Sequence, residues 1–305
     1  TCSGSTDYLA GQAFSFVMTL DAVGAYPPIV ESHVEMDGAW ALYEAWLKIQ
    51  AGHADTALVY GYSKASPGDL PHVMSRGLDP YYYGPLWPDS VAFAGLQARA
   101  MLDAGTITAE EMAQIAYRSR TAAESNPYAQ VAGSETVDEL LAAPMFSDPL
   151  RRHDLPPISD GGVAVVLAAG DKAREWSDRP AWIRGIDHRI DSHNVGARDL
   201  TVAPSIAIAA QKAGVGNGDV DVAELHAPFT HQEKIIATEL GLGSGVEINP
   251  SGGALAANPM LAAGLIRIAE VAERISAGSA GRGVAHATGG QLLQQNLVCV
   301  LEGEG

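Results

Sequence analysis

Short apolar segments alternate with helical patterns along most of this 305-residue chain, and this alternation restricts the fold more than any other feature. Residues 38–51, GAWALYEAWLKIQA, carry apolar side chains at helical spacing, and the run ALVYGY after them is typical of a buried strand. The alternation restarts beyond a charged segment, 171–181, and both stretches close on an apolar strand, GGVAVVLAAG or QNLVCVLEGEG. The sequence therefore predicts an α/β protein made of two similar halves, 1–175 and 176–305.

Further elements follow from the same patterns. In the first half a long loop region is predicted over 64–150, and its beginning, 64–89, is rich in proline, glycine and aromatic residues. Two helices interrupt that region, and Thr108 with Glu111 three residues later has the spacing of a capping box. In the second half, strands alternate with helices up to a long helix that is predicted to begin at Pro259, and two strands close the chain.

The composition argues against several classes of partner and environment. A formal net charge of −17 with a pI near 4.8 repels nucleic acid and anionic membranes, so neither is expected as a partner. No apolar run approaches the about 20 residues of a membrane span, and the first residues lack the pattern of a signal peptide. Cys2 and Cys299 are the only cysteines, which indicates neither a disulfide framework nor a zinc site and predicts a cytoplasmic protein. Cys299 lies on an apolar strand, where a packed thiol is expected.

Five stretches, in their order along the chain, carry the pattern of a known superfamily. They are EMDGAWALYEAWLKIQAGHADTALVYGYSKAS, DPLRRHDLPPISDGGVAVVLAAGDKA, ELHAPFTHQE, NPSGGALAANPMLAAGL and HATGGQLLQQNLVCVLEG. Together they resemble the thiolase superfamily, especially the sterol-carrier-type thiolases and the thiolase-like lipid-transfer proteins. The resemblance implies the thiolase fold, in which two βαβαβαββ halves form an αβαβα layered arrangement. It also implies that the chain starts at the family's second strand, so the first strand and helix are expected to be missing.

The resemblance breaks down at the catalytic cysteines. The family reads Cys-x-x-Gly at its nucleophile turn, and aligning Gly38 with that glycine places Glu35 where the cysteine stands. The family's second cysteine precedes the final Gly-Gly pair, where this chain has Ala287 and Thr288. A thiolase needs one thiolate to carry the acyl group and a second as acid and base, and a carboxylate is a poor acyl carrier. Thiolysis is therefore rejected.

Other positions of the family's site keep polar side chains or glycines. His226 matches the histidine of the sterol-carrier-type HDxF loop, here His-Ala-Pro-Phe, and Asn258 before Pro259 stands near the place of the Gly-His-Pro histidine. The Gly-Gly turns are kept as Gly252–Gly253 and Gly289–Gly290, and the resemblance implies that they bind the CoA ester. CoA is expected only as part of the substrate, with no covalently bound cofactor and no metal.

A site with oxyanion-type donors and acid–base groups but no nucleophile suits carbon–carbon cleavage by proton transfer. In a retro-aldol reaction a base takes the proton of a β-hydroxyl group, and hydrogen-bond donors hold the thioester enolate until it is protonated. The chain resembles thiolase-like proteins without the cysteines that cleave steroid side chains as CoA esters, which implies an acyl-CoA retro-aldolase, a carbon–carbon lyase. A non-catalytic lipid or acyl-CoA carrier or a structural subunit is the alternative, and an acyltransferase is a weaker third.

Glu35, His226 and Asn258 are the leading catalytic candidates. Glu35 is expected to act as the base or to position it, although a carboxylate beside a helix N-terminus has the same pattern. His226 is expected to donate to the thioester carbonyl or to move a proton, the alternative being a structural histidine. Asn258 is either an oxyanion donor or only the cap of the helix that follows. Asp37 is interpreted as the N-cap of the helix that it precedes.

The remaining candidates are histidine and aromatic side chains. His286 precedes the final Gly-Gly pair and is expected to face the pocket or to be structural, whereas His231 is expected on the first turn of a helix as a solvated or capping residue. Tyr81, Tyr82 and Tyr83 stand between two prolines in a loop that the resemblance places over the acyl site. At most one of them is expected to act as acid, base or enolate donor. The alternative is that all three pack against a partner or a sterol-like acyl group.

The resemblance also implies an assembly. Thiolase folds form dimers through the N-terminal half, so at least a homodimer is expected. A small protein with a zinc ribbon and an OB-fold completes the CoA site in similar aldolases. Such a partner would raise the assembly to a heterotetramer.

Overall fold

The computed structural model describes residues 1–10, 13–24, 30–133 and 135–304, and its elements follow the predicted alternation. The strands are β1 (Cys2–Gly4), β2 (Ser32–Val34), β3 (Thr56–Lys64), β4 (Met145–Ser147), β5 (Leu150–Arg151), β6 (Asp160–Ala168), β7 (Trp182–Ile190), β8 (Val222–Leu225), β9 (Glu247–Ile248), β10 (Arg282–Gly289) and β11 (Gln295–Glu302). The α-helices are α1 (Asp7–Ala10), α2 (Val17–Leu20), α3 (Gly38–Gln50), α4 (Leu70–Arg76), α5 (Ser90–Asp103), α6 (Ala109–Ala123), α7 (Val137–Ala142), α8 (Gly170–Trp176), α9 (Pro204–Ala213), α10 (Thr230–Glu239), α11 (Gly253–Ala256) and α12 (Ala263–Ser276).

Two sheets form the centre of the fold, and each draws its strands from one half of the chain. The first has the strand order β2-β1-β3-β6, and the second has the order β7-β11-β10-β8-β9. In both sheets three parallel strands are followed by an antiparallel strand, so β1, β2, β3 and β6 correspond to β8, β9, β10 and β11. In the second sheet β7 adds a further antiparallel pair with β11. In the second half the chain order, with α11 and α12 counted as one helical segment, is the βαβαβαββ pattern that the sequence predicted.

Helices α3 and α12 lie side by side between the two sheets. α3 packs on β1 and β3 of the first sheet, α12 packs on β8 and β10 of the second, and the two helices contact each other. Their buried faces share one apolar cluster with both sheets, which includes Trp40, Leu42, Leu265 and Ile268. A second apolar cluster joins α9 and α10 with α5 and α6 against the second sheet. Helices and sheets therefore alternate in layers, as the predicted αβαβα arrangement requires.

Strand β11 shows how the second sheet is buried on both faces. Val298 and Val300 belong to the outer apolar cluster, whereas Leu297 and Cys299 belong to the cluster between the sheets. Cys299 is completely buried, and burial raises its pKa to about 12. It is therefore a packed thiol, as predicted.

The junction between the two central helices is built on Asp37. Its carboxylate accepts hydrogen bonds from the amide of Ala39 in α3 (2.8 Å) and from the amides of Gly264 (2.9 Å) and Leu265 (3.0 Å) in α12. The first turn of a helix has N–H groups without partners, and here one carboxylate serves two helices. Burial raises the pKa of Asp37, and the three amides act against this by favouring the ionised form. Asp37 caps α3, as the sequence predicted. The structure shows that the same carboxylate also caps α12.

The two helix starts approach so closely that two positions require glycine. A Cβ atom on Gly38 would lie 2.8 Å from the Leu265 side chain. A Cβ atom on Gly264 would lie 2.6 Å from Asp37 Oδ1. Any larger residue at either position would push the helices apart and break the shared cap.

Three sequence interpretations need correction and one is confirmed. The predicted loop 64–89 contains helix α4, because Asp69 caps it and a proline occupies its first turn. The helix predicted from Pro259 begins only at α12, since Leu261 adopts a left-handed backbone with φ of 67°. His231 lies in the first turn of α10 but is completely buried rather than solvated, with its Nε2 atom 3.2 Å from Gln97 Oε1. The predicted capping box at the start of α6 is present.

Replacement of Asp37 with alanine should lower the free energy of unfolding by about 2 to 4 kcal/mol, because two buried helix caps are lost at once. The matched control is Asp89→Ala, since Asp89 caps only α5 through the amide of Ala92 (2.7 Å). That control should cost about 1 kcal/mol. Urea unfolding followed by circular dichroism measures both, and equal losses would contradict the shared cap.

Candidate functional site

A cavity of about 660 Å³ opens beside the N-terminus of α3 and is lined by both halves. Its wall includes the loops that follow β2, β8 and β10, which are the carboxyl ends of parallel strands, where α/β folds bind ligands. Five of the predicted site residues line this cavity, namely Glu35, His226, Asn258, Gly289 and Gly290. The structure therefore brings together residues that lie far apart in the sequence.

His226 and Asn258 form a buried polar pair in the cavity wall. His226 Nε2 lies 3.1 Å from Asn258 Oδ1, and the amide of Thr288 donates a long hydrogen bond of 3.4 Å to His226 Nδ1. A ring nitrogen that accepts a hydrogen bond carries no proton, so the proton resides on Nε2 and is donated to Asn258. Asn258 Nδ2, which has no hydrogen-bond partner within the described ranges, is left to donate into the cavity.

The segment that carries Asn258 is anchored at both ends. Its amide donates to the hydroxyl of Ser159 at 3.0 Å. At its start, both the amide and the hydroxyl of Ser251 bind the Glu224 carboxylate, at 2.9 and 2.7 Å. Glu224 also pairs with Arg267 at 2.7 Å, and both side chains are almost fully buried. Removal of one partner would leave an unpaired buried charge, so this ion pair holds the segment in place.

The imidazole of His226 is neutral at physiological pH. Burial lowers its pKa to about 3, and the neighbouring imidazole of His286 acts in the same direction. His286 does not line the cavity: it lies in β10 behind His226, with Nε2 3.0 Å from Asn296 Oδ1, and burial lowers its pKa to about 4. Its position leaves it as a neighbour of the buried pair rather than a residue in contact with a ligand.

Glu35 stands at the exposed side of the cavity as an ionised carboxylate. Its Oε1 atom accepts hydrogen bonds from the Thr6 hydroxyl (2.8 Å) and the Asp7 amide (2.9 Å), and its Oε2 atom lies 3.2 Å from His33 Nε2. Partial burial alone would raise the pKa of Glu35, but these hydrogen bonds outweigh it and hold the pKa below its ordinary value. The position at which the sequence resemblance expects a nucleophile therefore carries a fixed negative charge.

The three tyrosines do not reach the cavity. Tyr81 and Tyr82 are 84% and 72% exposed. The hydroxyl of Tyr83 donates to Asn194 Oδ1 at 2.6 Å and accepts from the Gly196 amide at 3.0 Å. In this chain the loop therefore presents two tyrosines to solvent and uses the third to contact the second half.

The two Gly-Gly turns have different surroundings. Gly289 and Gly290 line the cavity beside Glu35 and Met36. Gly252 and Gly253 do not line it, because their turn packs on α6, where the Ser119 hydroxyl donates to the Gly252 carbonyl. Only the final turn is therefore placed to contact a ligand in the cavity.

Sequence reasoning missed three residues that support the site. His33 binds Glu35 and stands two residues before it on β2, and the strand period of two is the signal that places both on one face. Thr288 was considered only as a lost cysteine, yet its amide sets the tautomer of His226. Ser159 lies within the quoted stretch PPISDGG, and no local pattern there indicates its contact with Asn258.

Within the described ranges no group of three or more histidine, cysteine, aspartate or glutamate side chains could hold a metal ion. No helix in those ranges is both long and apolar enough to cross a membrane.

Several known proteins are similar to this chain in sequence. No protein-family model matches the chain. An acetyl-CoA acetyltransferase of Methanothermobacter thermautotrophicus is 29% identical over 84% of this chain and 73% of its own length. Sterol carrier protein 2 of Gallus gallus is 29% identical over 85% of this chain, which spans only 54% of that protein.

Solved structures match over nearly the whole chain. Human mitochondrial 3-ketoacyl-CoA thiolase has a TM-score of 0.77 at 15% identity and matches over 99% of this chain and 86% of its own. The chain has the thiolase fold. An Ltp2-ChsH2(DUF35) aldolase has a TM-score of 0.78 at 20% identity with the same coverage. The resemblance to thiolases and sterol carrier proteins and the thiolase fold expected from the sequence are confirmed.

Three buried histidines make the stability of this thiolase-fold protein sensitive to acid. Burial lowers the pKa of His226 and His231 to about 3 and of His286 to about 4, from 6.5. Below pH 6.5 the unfolded chain takes up protons that the folded chain does not. Each histidine should therefore lower the free energy of unfolding by about 1.4 kcal/mol for each unit by which the pH falls towards 4.

Urea unfolding between pH 6 and pH 4.5 tests this expectation. His231→Gln removes one of the three groups and should make the loss with pH shallower by about 1.4 kcal/mol per unit. The exposed His53→Gln is the control and should leave the slope unchanged. An unchanged slope in His231→Gln would show that the buried imidazole is protonated in the folded state.

Proposed function

We propose that this protein is an acyl-CoA-dependent retro-aldolase that cleaves the side chain of a steroid or a similar branched β-hydroxyacyl-CoA. The observation that carries the proposal is the wall of the cavity, which gathers Glu35, His226 and Asn258. Neither cysteine lines it: Cys2 and Cys299 are buried in strands, and burial raises the pKa of both thiols. A site with a carboxylate, an oriented amide and no thiolate supports proton transfer rather than acyl transfer.

The residues divide the reaction between them. The Glu35 carboxylate takes the proton from the β-hydroxyl group, and the bond between the α and β carbons breaks to release a ketone or an aldehyde. The electron pair of that bond forms the thioester enolate, whose oxygen accepts a hydrogen bond from Asn258 Nδ2. His226 holds the amide in this orientation through its Nε2 proton. The protonated Glu35 then returns the proton to the α carbon, so the enzyme ends unchanged.

The character of the cavity supports a bulky apolar acyl group. Apolar side chains from α4, from β4, from the segment before β6, from the turn before α12 and from the loop after β10 form much of its wall. They include Leu70, Val73, Met74, Phe146, Ile158, Met260 and Leu292. Such a surface stabilises a sterol-like group by burying its hydrocarbon rings. The similarity in fold to an Ltp2-ChsH2(DUF35) aldolase gives further support to cleavage as the reaction.

A non-catalytic role is the second candidate. Tyr81, Tyr82, Leu86 and Trp87 are large apolar side chains exposed within one short segment, as in a subunit that binds a partner. In this case the protein binds a lipid or an acyl-CoA, or is a structural subunit of a complex. Glu35 would then be a replacement of the nucleophile that accompanied the loss of thiolase activity. The oriented pair of His226 and Asn258 favours the enzyme, because a passive carrier does not require a donor held by a buried histidine.

A cleavage assay tests the reaction. The protein is mixed with branched β-hydroxyacyl-CoA thioesters, including a steroid one, and mass spectrometry detects the shortened acyl-CoA and the released ketone or aldehyde. Glu35→Gln and Asn258→Leu should each lower kcat by about 100-fold or more, since one removes the base and the other the enolate donor. The matched control is Glu44→Gln, because Glu44 lies on α3, pairs with Lys48 and does not line the cavity.

The outcomes separate the two candidates. Cleavage that survives in Glu35→Gln would show that the base is another group. Binding of the thioester without cleavage by the wild-type protein would support the carrier. Loss of cleavage in Glu44→Gln as well would mean that the effect does not arise in the cavity.

We also propose an assembly in the cytoplasm of at least a homodimer, joined by a small OB-fold and zinc-ribbon protein into a heterotetramer. The partner named with the similar Ltp2-ChsH2(DUF35) aldolase supports this arrangement. Light scattering should give at least twice the 31.8 kDa of one chain. A stable monomer at micromolar concentration would overturn the dimer, and an unchanged mass with the candidate partner would overturn the heterotetramer.

A further inference from the structure

The loop between β10 and β11 has three successive backbone carbonyls that are bound by side chains. Arg198 donates from Nη2 to the carbonyl of Gln291 at 2.9 Å and from Nη1 to the carbonyl of Leu292 at 3.0 Å. Asn296 Nδ2 donates to the carbonyl of Leu293 at 2.7 Å. Because a peptide unit is planar, these hydrogen bonds fix the orientation of three peptide units.

The N–H groups of the same three peptide units belong to Leu292, Leu293 and Gln294. A trans peptide unit directs its N–H group away from its carbonyl, so these N–H groups point away from Arg198 and Asn296. The two donors do not line the cavity, whereas Leu292, Leu293 and Gln294 do. The three N–H groups therefore lie on the cavity side of the loop.

These N–H groups have no hydrogen-bond acceptor among the described residues. Leu292 is 6% exposed and Leu293 is 1% exposed, so two of the unpaired groups belong to buried residues. A buried N–H group without an acceptor destabilises the folded protein and is rare in native structures. An acceptor oxygen from a bound ligand would satisfy both groups.

The backbone of the loop is strained at the same two residues. Leu292 and Leu293 have φ of 57° and 58°, in the left-handed region that bulky residues seldom adopt. Two successive residues in this conformation direct their N–H groups to one side, which forms a small concave donor site. Strain of this kind persists only where contacts enforce it, here those of Arg198 and Asn296, and it is typical of ligand sites.

We infer that the N–H groups of Leu292 and Leu293 together bind a ketone oxygen on the acyl group of the ligand, apart from the thioester oxygen that Asn258 receives in the proposed function. The inference rests on the proposed function, because it names a substituent of that acyl group. Leu292 packs with Leu78 and Phe93 in an apolar cluster, so the two donors border the apolar part of the cavity wall.

The charges around the cavity favour a neutral acceptor. Among the described lining residues, Glu35, Asp37 and Asp89 carry carboxyl groups, against the single guanidinium of Arg152. This excess of negative charge would repel a carboxylate on the acyl group. A ketone oxygen has no charge and has two lone pairs, so it accepts from two N–H groups at once.

Binding of three steroid probes without CoA tests the inference. Two androstanones carry a ketone in ring A or in ring D of the same ring system, and androstane carries no oxygen. Tryptophan fluorescence follows each titration, because Trp40 lines the cavity. The wild-type protein, in the assembly in which it purifies, should bind at least one ketone about tenfold more tightly than androstane, because the hydrocarbon leaves both donors unpaired.

Leu293→leucic acid removes one donor and keeps the side chain, because an ester oxygen replaces the N–H group. This variant should reduce the preference for the ketone to about threefold and bind androstane as the wild type does. The matched control is the same replacement at Leu86, which is exposed, does not line the cavity and donates to the Tyr83 carbonyl at 3.0 Å. The control should leave all three affinities unchanged.

Arg198→Lys tests how the donors are oriented. Lysine keeps the positive charge but lacks the planar fork that binds two carbonyls at fixed positions. The preference for the ketone should fall in this variant as it does in Leu293→leucic acid, whereas the affinity for androstane should stay the same.

Each result decides the inference. Equal affinities of the wild type for the ketones and for androstane would overturn it, and so would a ketone preference that survives unchanged in Leu293→leucic acid. An equal loss for all three probes in that variant would also overturn it, since the N–H group would then support the fold rather than the ketone. None of the probes has a thioester or a β-hydroxyl group, so a failed cleavage assay beside an intact ketone preference would overturn only the proposed function.

Discussion

The carboxylate of Asp37 joins the N-termini of α3 and α12, and the site depends on this shared cap. Glu35 precedes Asp37 by two residues, and Asn258 lies in the turn that leads into α12. A direct hydrogen bond from the Gly38 amide to the Leu261 carbonyl, at 2.8 Å, completes the junction. Because one carboxylate fixes the starts of both helices, the turn before α3 and the turn before α12 lie in the same cavity wall.

The polar groups around the cavity have separate environments, and these give them separate roles. Hydrogen bonds keep Glu35 ionised at the exposed side, whereas burial keeps His226 neutral. A neutral imidazole with its proton on Nε2 orients Asn258 without adding a charge beside that side chain. In the proposed carbon–carbon cleavage, this arrangement separates Glu35, which would move the proton, from Asn258, which would donate a hydrogen bond to the enolate oxygen.

Much of the fold could be predicted, because helices and strands follow from local spacing of apolar residues. The site could be predicted only in part, as its residues illustrate. His226 and Asn258 stand in motifs, but their contact joins positions 32 residues apart. The course of the tyrosine loop is set by Tyr83 and Asn194, which are 111 residues apart, so local composition could not indicate that Tyr81 faces solvent. His231 has a surface-like pattern in its helix, and its burial results from α5 packing over it.

The sequence by itself determined the alternation of strands and helices, the strand patterns that close the two halves, the glutamate at the nucleophile turn and the absence of a usable cysteine, because these are properties of residue type and spacing. Only the tertiary structure decided which polar groups meet and which tautomer His226 adopts. Those properties depend on burial and on hydrogen bonds between distant segments. Such contacts form when α3 and α12 pack between the two sheets, and no local sequence pattern predicts them.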